Sequence, residues 1–272
     1  MPELAEVETV RNVLKTKILN KKIKNVNVLY NKMIENDEEF FKKVLIGNYF
    51  KDILRKGKWL IFELNEYYLL SHLRMEGKYF IKNSSNKIEK HEHVIITFDD
   101  NTDLRYHDTR KFGRMKIINK NELEKTKEIQ KQGKEPLDDT LTSNYLIEKI
   151  KNKNIPIKTV LLDQEIISGL GNIYANEVLY KAGIYPLRRA NSITELECER
   201  IIKASKEILT KAISEGGTTI KSYTSSLGVT GNYQNYLEVH KREKEPCHKC
   251  GSLIKKVKVG GRSTYYCDYC QK

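Results

Sequence analysis

Near its C-terminus the chain reads Cys247-x-x-Cys250 and, after sixteen intervening residues, Cys267-x-x-Cys270. Two such pairs at this spacing can close a tetrahedral four-thiolate shell around one structural zinc ion, so the last stretch is expected to fold around a metal. The fifth cysteine, Cys198, stands alone in a helical pattern and reads as a small, weakly polar helix residue. Residues 241–272 carry nine Lys/Arg against three Asp/Glu, which makes the expected zinc ribbon basic. The whole chain of 272 residues has a formal net charge of +13 and a pI of about 9.3. That balance points to an anionic partner, nucleic acid before membrane surface. A bias toward Lys, Asn and Ile explains part of the charge, so charge only supports the reading. No apolar run approaches the roughly 18 residues of a membrane span, and the N-terminus lacks a basic-then-apolar leader. A cytoplasmic chain is expected, where a disulfide framework would be out of place.

The pattern divides the chain into pieces. A helix is predicted from Glu3 to about Lys17, because Leu4, Val7, Val10, Leu14 and Ile18 share one face. Short, partly alternating stretches follow: KIKNVNVLY, YFKDILRKG, KWLIFEL, YYLLSHL, GKYFI, HVIITFD and DLRYHD. They predict an antiparallel sandwich or barrel, with EEFFKKVL as a helix among them. KQGKEPLDD (131–139), with Gly133 and Pro136, reads as a linker. Residues from about 140 to 220 have helical spacing, with Gly183 and Gly216 where C-caps belong. GGTTIKSYTSSLGVTGNY is too long for a simple turn and is expected to be mobile or functional.

Three local signals can carry chemistry. In ISGLGNIYANEVL, two glycines precede Asn172 at a helix start, where free backbone N–H groups and the helix dipole favour a phosphate. YHDTRKFGRM and HLRMEGKYF place Arg110, Phe112 and Met75 in turns, the residue types that fill the gap left by an extracted base. Pro2 follows Met1, and loss of Met1 would leave a secondary α-amine that ionises near pH 7.7–8.0, far below a lysine. Such an amine can attack a sugar C1′ and form an iminium, with Glu3 moving the proton. Glu6, one turn along, can order a water or hold the first turn. Each signal alone also fits an ordinary structure: a glycine turn with an Asn cap, a basic hairpin, a proline and acids in a first helical turn.

Taken in order, PELAEVET, RKGKWL, HLRMEG, DTRKFG, GLGNIYANEVL, EGGTT and the terminal CxxC…GGRSTYYCxxC resemble bacterial formamidopyrimidine-DNA glycosylases from residue 2 to 272. The resemblance implies an α+β multidomain fold. Its parts are a β-sandwich domain with flanking helices (1–131), a helix–two-turn–helix domain (132–220), a lesion-capping loop and connector (221–235) and a zinc finger (236–272). It implies a monomer that binds damaged double-stranded DNA, excises oxidised purines and cuts the strand by β,δ-elimination, with one structural Zn2+. Position by position, Pro2 resembles the Schiff-base nucleophile and Glu3 the proton donor. Lys58 resembles the lysine of β-elimination, and Arg262 the finger arginine of phosphate clamping and δ-elimination. Met75, Arg110 and Phe112 resemble the void-filling trio. His72, His91, Lys158 and Asn172 resemble DNA-backbone contacts, as does Arg110 beside the gap. Residues 218–228, with Thr218, Thr219 and Tyr223, resemble the loop over the flipped lesion.

Two departures stand out. Ala5 replaces a second proline, and His240-Lys241-Arg242 stands where the family often has Tyr-Gly-Arg, with His240 still able to donate to a phosphate. Two other readings compete: an endonuclease VIII-like enzyme for oxidised pyrimidines, and a lesion-binding protein that does not cut. Leu4 and the Met/Arg/Phe set stand against the first. Pro2, Glu3 and Lys58 stand against the second.

Overall fold

A computed structural model describes residues 1–218 and 231–272. They gather into two compact units: residues 1–130 with Thr218 and Gly231, and residues 131–217 with 232–272. The helical segment and the finger therefore share a unit.

In the first unit, helix α1 (Leu4–Ile18) buries Leu4, Val7, Val10, Leu14 and Ile18 on one face, as the 3.6-residue period predicts. Glu3 is its N-cap. Strand β1 (Ile23–Val28) and helix α2 (Glu38–Leu45) follow, α2 starting where the Asp37 carboxylate accepts the Phe40 N–H. Then come β2 (Asp52–Lys56), β3 (Trp59–Glu63), β4 (Tyr67–His72), β5 (Lys78–Asn83), β6 (Glu92–Phe98), β7 (Thr102–His107), β8 (Arg114–Asn119) and the one-turn α3 (Lys127–Gln130). The strands form two four-stranded antiparallel sheets, ordered β1-β6-β7-β5 and β2-β3-β4-β8. The predicted sandwich is present. Strand β8 was not predicted; its buried Met115, Ile117 and Ile118 are broken by Lys116 and follow a run of basic turn residues. Phe41, Phe50, Phe62 and Phe98 have no exposed surface in the core, each contributing about 1.5–3 kcal/mol of burial.

The second unit holds α4 (Ser143–Ile150), α5 (Ile157–Leu161), α6 (Asn172–Ala182) and α7 (Glu195–Ser214). Gly183 closes α6 in the left-handed region at φ 73°. Thr194 and Glu197 form a capping box on α7, whose C-cap is Glu215, with Gly216 just beyond it at φ 73°. A hairpin of β9 (Lys255–Val259) and β10 (Arg262–Tyr266) turns through Gly260 and Gly261, both at positive φ. The 131–139 stretch is not a free linker. Gly133 N–H donates to the Gln164 carbonyl at 2.8 Å, and Ser168 N–H to the Lys134 carbonyl at 3.0 Å. A Cβ on Gly133 would lie 2.3 Å from the Ile166 carbonyl oxygen, so glycine permits this packing. Polarity alone marked the stretch as a linker and could not show these backbone bonds.

Candidate functional site

The first turn of α1 is held by the Glu6 carboxylate. Pro2, Glu3 and Glu6 are all buried. Glu6 Oε2 accepts the Glu3 N–H at 2.8 Å, and Glu6 Oε1 accepts the Thr218 N–H at 2.8 Å and its hydroxyl at 2.9 Å. Glu6 thus fixes the first turn of α1 and the residue that precedes the undescribed stretch 219–230. Thr219 and Tyr223 of the predicted lesion loop lie outside the described residues. Ala5, where the family has a second proline, is fully buried in this same turn.

Lys58 is buried in the two-residue turn between β2 and β3, after Gly57 at φ 55°. Arg55 fastens this turn to α1: its Nε donates to Glu8 Oε2 at 2.7 Å and its Nη1 to the Gly57 carbonyl at 2.9 Å. The α-amine of Met1 is held below its ordinary value of 8.0, chiefly by burial. Glu3 and Glu6 oppose that shift, Lys58 adds to it, and Glu76 opposes it weakly. The structure thus brings the N-terminus, Glu3, Glu6 and Lys58 into one electrostatic neighbourhood. Arg55 and Glu8 were not singled out in the sequence for this duty, because a strand arginine and a helix glutamate give no local signal of their pairing.

The predicted void-filling residues sit on two turns of the same unit. Met75 is half-buried between β4 and β5, and Arg110 and Phe112 are exposed between β7 and β8. The Arg110 guanidinium lies 4.8 Å from the Phe112 ring centroid. The fully buried Asp108 carboxylate accepts the N–H groups of Arg110 (2.9 Å), Phe112 (2.9 Å) and Gly113 (2.8 Å). Thr109 donates to Glu76 and links the two turns. Beneath both lies the buried Tyr106. A Cβ would meet its hydroxyl at 2.1 Å from Gly77 and at 1.8 Å from Gly113, so glycine at each turn's end lets the backbone close on the phenol. Asp108 was missed by the sequence reading because its partners are backbone N–H groups, and Tyr106 because its role is to lie against two glycines.

His72 stacks edge-on against Trp59, with centroids 4.7 Å apart, and its Nδ1 accepts the Arg74 N–H at 3.0 Å. Its proton therefore sits on Nε2. Burial, with Arg74, Lys58 and Arg114 nearby, pushes its pKa down to about 3, so the ring is a neutral donor. His91 sits at φ 73° between β5 and β6, and its carbonyl accepts the Asp108 N–H at 3.0 Å.

The second unit holds the other predicted residues. Lys158 has no exposed surface: its Nζ donates to the Ser263 carbonyl at 3.1 Å and to Thr264 Oγ1 at 2.7 Å. Asn172 Nδ2 donates to the same Ser263 carbonyl at 3.0 Å. Both side chains, which the sequence reading matched to DNA-backbone contacts, seat the finger hairpin on the helices in this structure, and Lys158 is fully buried. Arg262, at the start of β10, is exposed. His240 is buried, its Nδ1 2.8 Å from Asn176 Nδ2. Burial, then Lys241 and Lys158, pushes its pKa down to about 4. The amide donates to Nδ1, which leaves the ring proton on Nε2. Glu177 accepts the backbone N–H groups of Glu238 (2.8 Å), Val239 (3.1 Å) and His240 (2.8 Å), which fixes this segment. Lys241 takes φ 64°, a left-handed conformation that suits the glycine often found there in the family.

The four cysteine sulfurs lie within 4.8 Å of one another. Cys247 and Cys270 Sγ are 3.9 Å apart, Cys250 and Cys267 Sγ 3.5 Å apart. A tetrahedral shell with Zn–S near 2.3 Å needs sulfurs about 3.8 Å apart, so the set fits zinc. Four thiolates fill the shell and leave no position for a reactive water, so the ion is structural.

Comparison with known proteins agrees along the chain. Residues 1–115 match the formamidopyrimidine-DNA glycosylase N-terminal domain, 132–224 its H2TH domain, and 244–272 a zinc finger found in FPG and IleRS. The formamidopyrimidine-DNA glycosylase of Listeria monocytogenes is 43% identical, with 100% of each chain covered. That of Bacillus anthracis is 44% identical over 100% of this chain and 99% of its own. A complex of Lactococcus lactis Fpg with DNA containing an abasic site superposes with a TM-score of 0.94 at 40% identity, covering 99% of both chains. A complex of that wild-type enzyme with DNA containing an N7-benzyl-Fapy-dG gives 0.94 at 40% identity over 100% of both. Among the described residues no helix is long and apolar enough to cross a membrane. The chain belongs to the formamidopyrimidine-DNA glycosylase family.

Proposed function

We propose that the chain excises oxidised purines, 8-oxoguanine and formamidopyrimidines, from double-stranded DNA and then cleaves the strand. The observation that carries this is the buried Pro2–Glu3 pair at the head of α1, with the Lys58 charge felt one residue away at the Met1 amine. Once Met1 is removed, the Pro2 nitrogen becomes a secondary amine. The Pro2 site is buried, and burial favours the neutral, nucleophilic form of an amine. It attacks C1′ as the bond from C1′ to the base breaks, and Glu3 delivers a proton to open the sugar or release the base. The iminium acidifies C2′; loss of that proton expels the 3′ phosphate, and a second elimination expels the 5′ phosphate. Lys58 steadies a phosphate in the first elimination, and Arg262 clamps one for the second.

Met75, Arg110 and Phe112 occupy the space left by the extruded nucleotide, positioned by Asp108 and Tyr106. His72 and His240 donate Nε2–H to phosphates as neutral rings, with Asn172 and His91 beside the backbone. Thr218 anchors the loop over the lesion. For Lys158, full burial supports an anchoring role beneath the finger hairpin. The enzyme acts as a monomer in the cytoplasm, at the nucleoid where its substrate lies.

The test is a duplex with one 8-oxoguanine opposite cytosine, beside one with an oxidised pyrimidine. The expected result is cleavage of the first to a one-nucleotide gap with phosphate on both ends. Preference for the pyrimidine lesion would favour the endonuclease VIII-like reading, and binding without cleavage a lesion-binding protein.

A further inference from the structure

The zinc shell has an unequal environment. Tyr180, on α6, is 1% exposed, and its hydroxyl lies 3.1 Å from Cys247 Sγ. Its ring packs in one cluster with Val239, Cys247, Ile254 and Cys267. Lys249 Nζ stands 4.6 Å from the centroid of the same ring. A zinc-bound cysteine is a thiolate without a proton, so the hydrogen in this contact can come only from the phenol. Four thiolates on one Zn2+ leave the centre with two surplus negative charges, and a donor aimed at sulfur spreads that charge. A cation over the ring face draws electron density from the phenol and makes it a better donor.

We infer that Tyr180 is a positioning residue of the zinc centre: its hydroxyl donates to the Cys247 thiolate, holds that ligand on the metal, and joins helix α6 to the finger through the shell. The inference rests on the zinc reading above. Its reach goes beyond packing, because a phenylalanine would fill the same space and lack only the bond.

The test compares the zinc-loaded wild type with Tyr180→Phe. Zinc affinity is measured by competition with a chromophoric chelator, and the sulfur-to-metal charge-transfer band is recorded after cobalt substitution. The variant should keep the wild-type circular dichroism and bind zinc about tenfold more weakly, within the range for removing a hydrogen-bond partner of a metal ligand. Its cobalt band should move to longer wavelength, because sulfur without the donor releases electron density more readily. A band at the wild-type position would overturn the inference even if affinity fell, since that loss would then come from packing. Equal affinities would overturn the claim that the bond holds the metal. A wild-type protein that bound no zinc would instead strike the zinc reading itself.

Discussion

Glu6 and Thr218 are 212 residues apart in sequence, yet the Glu6 carboxylate accepts both the backbone N–H of Thr218, at 2.8 Å, and its hydroxyl, at 2.9 Å. The other oxygen of the same carboxylate holds the Glu3 N–H. One buried acid therefore registers the first turn of α1 against Thr218, the residue before the stretch expected over the lesion.

Glu6→Gln should be more damaging than its size suggests. The amide presents an NH2 to one set of donors, leaving a donor facing a donor. Thr218→Val keeps the shape and removes one bond to a charged group, a loss of about 1.5–3 kcal/mol. Urea unfolding should show that loss, and single-turnover excision should fall further in Glu6→Gln than in Thr218→Val. Equal excision by Glu6→Gln and wild type would remove Glu6 from this role.

Gly113→Ala should destabilise the Arg110–Phe112 turn. The new methyl would stand 1.8 Å from the Tyr106 hydroxyl, and overpacking of this kind typically costs about 1–3 kcal/mol. Thermal unfolding of Gly113→Ala, with and without Tyr106→Leu, should show that the smaller residue returns part of the loss. Additive effects would mean the two positions do not collide.

The low pKa values of His72, about 3, and His240, about 4, set an acid limit on stability. The unfolded chain takes up these protons near pH 6.5, whereas the folded rings stay neutral until pH 4 or below, so stability is full above about pH 6.5 and falls with acidification. Each ring steepens the fall by up to about 1.4 kcal/mol per pH unit between those limits. His72→Gln and His240→Gln should each flatten the decline in denaturant midpoint from pH 6.5 to 4.5. A decline as steep as wild type would contradict neutral rings in the folded state.

Arg262 and Lys158 should behave differently in salt. Arg262 is exposed, and Arg262→Ala should lower the slope of log affinity against log salt by about one unit. Lys158 is enclosed by the finger hairpin, and Lys158→Met should weaken DNA binding through a loosened finger with the slope unchanged. A one-unit loss of slope in Lys158→Met would return it to the phosphate contacts.

Much of this architecture was readable before any coordinates. The helical period of Leu4 to Ile18, the alternation in the strands and the CxxC spacing each report a local rule, and each element stands where the rule put it. The zinc set was legible because metal geometry restricts ligand spacing. The remainder depended on partners distant in sequence. Tyr106 beneath Gly77, Glu6 with Thr218, and Lys158 beneath the finger each join segments that no short window of sequence contains. Strand β8 was missed for a nearer reason: Lys116 interrupts its apolar residues, and a basic turn precedes it.

The central claim is that the nucleophile is the secondary amine of Pro2, free only when Met1 is gone. Borohydride reduction during reaction with 8-oxoguanine duplex, followed by intact and peptide mass spectrometry, tests it most directly. The account predicts one covalent DNA adduct, placed on Pro2, in protein whose chain begins at that residue. It predicts nearly none in Pro2→Gly, and none in protein that retains Met1, where the Pro2 nitrogen is a tertiary amide. A full yield of adduct in the Met1-retaining protein, or an adduct mapped to Lys58, would contradict it.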